Sequence, residues 1–395
     1  MSTSSSSSRS PHREASASFI KHASEVASFY GFRPVREIEK EHRAQSDVKN
    51  QKRMGQGVYS FQSAALIGAA RAASRPQDPV LAFYATPVPE HTPSAVPQRE
   101  AGEFGLQVIG TQESVGEIVL LKTITMIASE WGTPLMKVRV NALGDKDSQQ
   151  RFARELGGYL RKHLDEIDEA LRRGVMDDPF SFYRIGTQVS RDILAEGPRP
   201  MHFLSEKSRV HFRSVLEHLE HLGVPYELDD LLGGDERGPH IAFALDFAEG
   251  DTTILGALGG RFDEYLKRET HRKDSAGAGA SIYFRKKGAN KTNFMAQVPP
   301  IKPKIYFAQL GLRAKLQGLA VVDMLRVAHV PVLQSFDAAR LSNQLATAAQ
   351  LGVSHLFIMG QREALDGTII VRSTRNSSQN IISLNDVPRF LRSLR

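Results

Sequence analysis

The chain has 395 residues, no cysteine, one tryptophan, and 51 Lys plus Arg against 44 Asp plus Glu, a formal net charge of +7. At roughly 100 to 200 residues per domain this length implies two or three domains, each able to bury a core without covalent staples. The lack of cysteine excludes disulfides and thiolate metal sites, and a composition of 41% hydrophobic and 24% charged residues is that of a globular chain rather than a disordered or membrane-embedded one.

The charge is unevenly placed. Residues 1 to 265 hold 31 basic and 37 acidic side chains, residues 266 to 302 hold 9 and 2, and residues 303 to 395 hold 11 and 5. An acidic body followed by a basic last third points to a polyanion partner such as RNA, against the plainer reading of a solvated surface.

In chain order, residues 1–17 are Ser-rich without an apolar stretch and read as a disordered tail. They carry no secretory h-region, so a cytoplasmic location is expected. Apolar residues at Phe19, Ile20, Ala23, Val26, Ala27 and Tyr30 form a helical stripe. Gly31 ends it, and residues 32–38 read as a strand. A short strand is expected around Val58 to Phe61, then a helix over 63–74, strands over 80–84 and 104–109, a helix over 113–129, a strand over 136–141 and one long helix over 147–172. Further on come a helix over 206–222, an extended segment over 225–228, strands over 241–247 and 252–258 joined by a turn at 249–251, and then a helix, one strand and an exposed linker between 266 and 302. From Lys304 the pattern alternates: strand 305–309, helix 311–328, strand 330–334, helix 337–350, strands 355–359 and 367–372, helix 385–393. This is the signature of a small, mostly parallel α/β domain.

Five segments, in order and spacing, resemble the histidyl-tRNA synthetase family: YGFRPVREIEKE (30–41), NALGDKDSQQRFARELGGYLRKHLDEIDEALRRG (141–174), LEHLGVPYELDDLL (216–232, with the helix it ends), GALGGRFDEYL (256–266) and the final α/β domain. The resemblance implies an α+β class II synthetase-like core, an antiparallel sheet flanked by helices over residues 18–298. A linker at 299–303 and a small α/β anticodon-binding-like domain over 304–395 follow. It also implies a homodimer, tRNA as partner, and ATP with Mg as cofactors if the chain is an active histidine-type ligase.

Set against that resemblance, the catalytic motifs are degenerate. Adenylation depends on cations placed around the ATP phosphates, since positioning and electrostatics supply nearly all the catalysis. Where the family has the Arg and Glu of its second class motif, this chain has Pro89 and His91. The family's Arg-Gly-Leu-Asp-Tyr-Tyr segment corresponds to Gly233 to Gly238, with Arg237 four places late and no aromatic pair, and the Leu-Arg-Pro-Glu-Gly-Thr segment is missing between Phe61 and Val80. In the third motif Arg285 or Lys286 falls near the expected place, but Ile282 or Tyr283 replaces a glycine and would fill space a base requires. Gly259, Gly260, Arg261 and Asp263 match the glycine-rich turn, with Phe262 for Tyr; a tight turn with a buried ion pair explains them better than a working site does. The vestigial catalytic candidates are therefore Arg99, Arg237, Arg261 and Arg285, and Gly259, Gly260, Phe262 and Asp263 form the remnant of a substrate pocket. The first motif keeps Glu41 but has Ile38 or Glu37 for proline.

The final domain is better preserved. Gln344 and Leu345 match the family helix that faces the anticodon, the paired lysines are Ser342 and Asn343, and Arg313, Lys315 and Arg340 could compensate. No HExxH, Walker or GxGxxG motif is present, so no metal site is expected; GAGAS at 277–281 precedes an apolar strand, which excludes a phosphate cradle. The leading expectation is a histidyl-tRNA synthetase-like protein without aminoacylation, needing no cofactor and acting as an RNA-binding or regulatory protein, with no membrane or DNA signature. The alternatives are a divergent active ligase and a regulatory subunit of an ATP phosphoribosyltransferase.

Overall fold

The computed structural model describes residues 11–45, 59–74, 79–88, 101–185, 188–233, 237–248, 253–285, 304–330, 332–334, 341–376 and 378–393. An eight-stranded sheet organises the first part of the chain: β1 (Arg33–Pro34), β2 (Val80–Pro87), β3 (Ala101–Ile109), β4 (Leu135–Ala142), β5 (Tyr226–Leu228), β6 (Ile241–Phe247), β7 (Ile254–Arg261) and β8 (Gly277–Arg285). Their spatial order is β1-β2-β3-β8-β7-β6-β4-β5, antiparallel except for the edge pairs β1–β2 and β4–β5.

Register explains why this sheet has two different faces. Gln107, Gly279, Gly260, Ala242 and Asn141 lie side by side in one row, and Tyr84, Gly105, Ser281, Leu258 and Ala244 in the next. Thr86, Glu103 and Tyr283 form a third. Paired residues point to the same side and alternate along each strand, so the polar residues Thr86, Tyr84, Glu103, Gln107, Ser281 and Asn141 share one face, here called the front. The back carries Phe83, Phe104, Leu106, Phe243 and Ile282 in one apolar core with α1 (Pro11–Phe29), α4 (Val115–Glu130) and α9 (Glu206–His221). The front is covered by α2 (Val35–Gln45), α3 (Phe61–Ser74) and α10 (Asp263–Thr270). Between β4 and α9, α5 (Lys146–Lys162), α6 (Glu169–Asp177), α7 (Ser181–Ile185) and α8 (Gln188–Ala195) gather round a separate core of Phe152, Leu156, Leu160, Val175, Phe182 and Ile193.

The second sheet, β10-β9-β11-β12-β13 in spatial order, comprises β9 (Ile305–Gln309), β10 (Val332–Gln334), β11 (His355–Met359), β12 (Thr368–Ser373) and β13 (Gln379–Ser383). Its first three strands are parallel and the last two antiparallel. Helices α11 (Leu312–Val327), α13 (Gln361–Asp366) and α14 (Val387–Ser393) cover the face of Phe307, Phe357 and Met359; α12 (Leu341–Leu351) covers that of Tyr306, Ala308, Leu356 and Ile358. The two parts of the chain share one apolar core along α4 and α11. Polar ties reinforce it: Lys122 with Asp323 (2.6 Å), Arg326 with Glu130 (2.5 Å), Lys315 with Glu113 (3.1 Å), Tyr30 with Asp323, and Gln334 Nε2 donating to the Tyr30 carbonyl (3.1 Å).

Several sequence expectations are corrected, beginning with the tail read over residues 1–17, of which residues 11–17 belong to α1 and residues 1–10 lie outside the described residues. The strand read over 32–38 is only two residues long, because VREIEKEHRAQ, rich in straight-chain helix formers, begins α2 at Val35. The expected strand around Phe61 is instead the start of α3, where Ser60 and Ser63 exchange backbone and hydroxyl bonds; Val58 lies outside the described residues. The single helix over 147–172 breaks after Lys162, and Asp168 caps the next helix by accepting from Ala170 N–H at 2.9 Å. Gly259 and Gly260 lie within β7, not in a turn. The small domain gains α13 and β13, which makes its sheet mixed rather than mostly parallel. The turn expected at 249–251 lies outside the described residues.

Candidate functional site

Buried polar groups cost free energy unless satisfied, so their concentration on one face of the large sheet marks the place where chemistry would be done. Tyr84 Oη donates to Glu103 Oε1 at 2.7 Å, and Ser281 Oγ donates to the same oxygen at 2.6 Å. Burial, then the Glu103 charge and hydrogen bond, hold the Tyr84 hydroxyl well above its ordinary value, so it remains a donor. Gln107 Nε2 donates to the Phe61 carbonyl at 2.8 Å, while its Oε1 is buried with no partner among the described residues.

Glycines in these rows leave a trough that aromatic rings fill. A Cβ on Gly279 would come within 2.6 Å of the Phe61 ring, and one on Gly105 within 2.2 Å of the Tyr84 ring. Gly260 is closed off by Pro239 and the Ile241 carbonyl. Arg237, one of the sequence candidates, lies above this filling: its Cζ is 3.7 Å from the Phe61 centroid and 4.5 Å from that of Phe262. Arg285 and Tyr283 also belong to the front rows, whereas Ile282 points into the back core. Tyr283, not Ile282, is thus the residue that occupies front-face space.

Arg261, the other described candidate, faces away from this site. It pairs with Ala278 and Ile241 at the end of β7 and reaches the back helix α4. Its Nη1 donates to Glu117 Oε2 at 2.9 Å, its Nη2 to the Thr111 carbonyl at 2.6 Å, and its Nε to Asp263 Oδ2 at 3.1 Å. Arg261 is 2% exposed and Glu117 0%. Burial alone would push the Glu117 carboxyl up, but Arg261 and the 2.7 Å bond from His211 together bring it below the ordinary value. Asp263 Oδ1 in turn accepts from Gly277 N–H at 2.9 Å. Arg261 and Asp263 therefore brace β7, β8 and α4, and turning the guanidinium to a phosphate would strand a buried carboxylate. Pro89, His91 and Arg99 lie outside the described residues. Among the described residues, the committed guanidiniums of Arg237 and Arg261 do not form a triphosphate cradle, and no group of three or more acidic or histidine side chains could hold a metal ion.

In the small domain, Arg313 is exposed, as are Lys304, Arg362, Arg375, Arg389 and Arg392. Two other candidates are corrected. Lys315 is 3% exposed with its ammonium on Glu113, because α11 turns that face toward α4. Gln344 is 2% exposed: its Oε1 accepts from Gln309 N–H at 3.2 Å and its Nε2 donates to the Gln309 carbonyl at 3.3 Å, tying α12 to β9. Neither presents its polar group to an RNA. Arg340 lies outside the described residues. The front-face set of Glu103, Gln107, Tyr84 and Ser281 was not picked out from sequence, although AGEFGLQVI and GAGASIYFR alternate polar or small residues with large apolar ones, which is the available signal.

A basic α/β module packed behind a largely antiparallel sheet with a polar front face defines the class: the anticodon binding domain family matches residues 305–394. The likeness extends beyond that domain. Histidine–tRNA ligase of Chlorobium phaeovibrioides is 24% identical over 76% of this chain and 71% of its own, and that of a Cyanothece strain 26% identical over 75% and 68%. The apo histidyl-tRNA synthetase of S. aureus aligns over 99% of this chain and 100% of its own at 19% identity with a TM-score of 0.49. The resemblance to the histidyl-tRNA synthetase family read from the sequence is borne out by these relatives, and an anticodon binding domain falls in the last part of the chain, as expected. Among the described residues no helix is long and apolar enough to cross a membrane.

Proposed function

We propose that this chain is a histidyl-tRNA synthetase-like protein that binds tRNA through its C-terminal domain and does not charge it. A linker at residues 299–303, dividing a core domain over 18–298 from the domain over 304–395, is part of that reading. The observation that carries it is the contrast between the described catalytic candidates Arg237 and Arg261 and the cations of the C-terminal domain. In the large-sheet domain Arg261 braces the back of the fold and Arg237 is stacked on Phe61 and Phe262, whereas Arg313, Arg362, Arg375, Arg389 and Arg392 of the anticodon-binding domain face solvent. Cations on a surface attract phosphate by a sequence-independent, salt-dependent term; cations neutralised within a fold do not.

An enzyme of this class would need its guanidiniums free to meet charge developing on a phosphate. Releasing Arg261 for that role would break the bond to a fully buried Glu117, a loss of about 3–5 kcal/mol. The test is fluorescence anisotropy of labelled tRNA at a series of salt concentrations. The reading expects binding that weakens steeply with salt and survives truncation of the Arg261 side chain wherever the fold survives. Absence of tRNA binding at low salt would reject it.

A further inference from the structure

We propose that Arg237 is the resident occupant of a cation box on the front face of the large sheet and excludes small planar cations from it. The proposal rests on the reading above only in taking the front face as the ligand side of the fold. The walls of the box are the Phe61 and Phe262 rings, which meet edge to face with centroids 5.1 Å apart at 72°. Both lie against the Arg237 guanidinium, at 3.7 and 4.5 Å from its Cζ. A delocalised planar cation is the group such faces attract most strongly once water is removed.

The floor has matching chemistry. Glu103, 4% exposed, supplies a carboxylate in the row beside Tyr84 and Ser281, and the Arg237 charge acts on the Tyr84 hydroxyl it holds. Gln107 is 1% exposed; its amide nitrogen holds the Phe61 carbonyl, which fixes the start of the helix that carries the Phe61 ring, and its Oε1 is a buried acceptor without a partner among the described residues. Two aromatic faces beside a carboxylate that accepts from the Tyr84 and Ser281 hydroxyls make a lining of negative character, suited to a cation carrying several N–H donors. A guanidinium, amidinium or imidazolium meets that description; a phosphate or carboxylate does not.

Gly238, at φ +64°, lets the chain reverse directly after Arg237, a conformation other residues adopt only with strain. The occupant is tethered, and a tethered group competes at an effective concentration on the order of millimolar. A free cation of ordinary affinity therefore loses to it.

The test titrates methylguanidinium chloride into the parent protein and into Arg237→Ala, following thermal shift and saturation-transfer NMR. Saturable binding to Arg237→Ala, at least about tenfold tighter than to the parent, is expected, since a desolvated cation–π contact supplies that ratio. Adding Phe61→Leu to Arg237→Ala should remove it. Equal binding to parent and variant, or binding indifferent to Phe61→Leu, would overturn the proposal. If Arg237→Ala does not fold, the parent alone decides: ring currents should move the Arg237 Hδ resonances clearly upfield of free arginine, and unshifted resonances would refute the occupancy. Failure of the tRNA reading leaves these NMR outcomes unchanged, so the two ideas fail separately.

Discussion

Arg261 is the residue whose role separates a catalytic account of this fold from a structural one. Truncating it to alanine removes bonds of 2.9, 2.6, 3.1 and 3.5 Å to Glu117, the Thr111 carbonyl, Asp263 and the Glu113 carbonyl. Glu117, fully buried on α4, would keep the 2.7 Å bond from His211 but lose its cation. Breaking one side of a buried pair costs about 3–5 kcal/mol because the other charge is left without compensation. At roughly 2 °C per kcal/mol for a domain of this size, Tm should fall by about 5–10 °C, read by calorimetry and by far-UV circular dichroism. Replacing both partners by apolar residues, Arg261→Met with Glu117→Leu, should recover much of the loss, since a buried ion pair exchanged for hydrophobic contact is often near neutral. An Arg261→Ala protein with unchanged Tm would refute the bracing role, as would a double variant no more stable than the single one.

Other outcomes follow from the same geometry. Arg313→Ala should reduce the slope of log affinity against log salt for tRNA by about 1, whereas Lys315→Met should leave the slope unchanged, because only the first side chain faces solvent; equal losses from the two would show that Lys315 reaches phosphate. Burial holds His218 and His240 below the ordinary histidine value of 6.5. The folded state thus prefers them neutral, the unfolded chain takes up more protons below that value, and Tm should decline as pH falls from about 7 to 5. A melting curve flat across that range would contradict this. Burial pushes the Asp145 carboxyl up, but Ser205, the Ser148 N–H and the Ser148 hydroxyl together bring it to about 2. Its contribution is complete above the unfolded value of 3.8 and lost as pH falls toward about 2. Asp145→Ala should cost about 1 kcal/mol by urea titration at pH 7 and nothing below pH 2, the partial exposure of the group limiting the figure.

Segments governed by a single physical rule are legible in the sequence. Ile241–Phe247, Ile305–Gln309 and His355–Met359 match their expected strands because short apolar runs between turn residues leave little alternative. Segments where two rules compete are not. Val35 to Ile38 satisfies both a β-branched strand and an amphipathic helix, and the long helix-forming segment to Gln45 decided for helix. The Gly259–Gly260 pair signalled a turn, yet the glycines sit in a strand, pressed against Phe243 on one side and Pro239 on the other. The two arginine candidates show the limit most clearly. Arg237 and Arg261 are both legible as vestigial cations, but the face Arg261 serves depends on cross-strand register, and the place of Arg237, in a turn before β6, on the packing of Phe61 and Phe262. Register is invisible without the partner strand. Lys315 and Gln344 matched the right helices, and only the packing of α11 on α4 and of α12 on β9 turned their polar groups inward.

Histidine-dependent ATP–pyrophosphate exchange on the purified chain tests the central claim most directly, because it reads adenylation without requiring tRNA. With tRNA binding established in the same preparation, the account predicts no exchange above the level without histidine. Robust histidine-dependent exchange would contradict it and assign the chemistry to cations other than the braced Arg261 and the stacked Arg237.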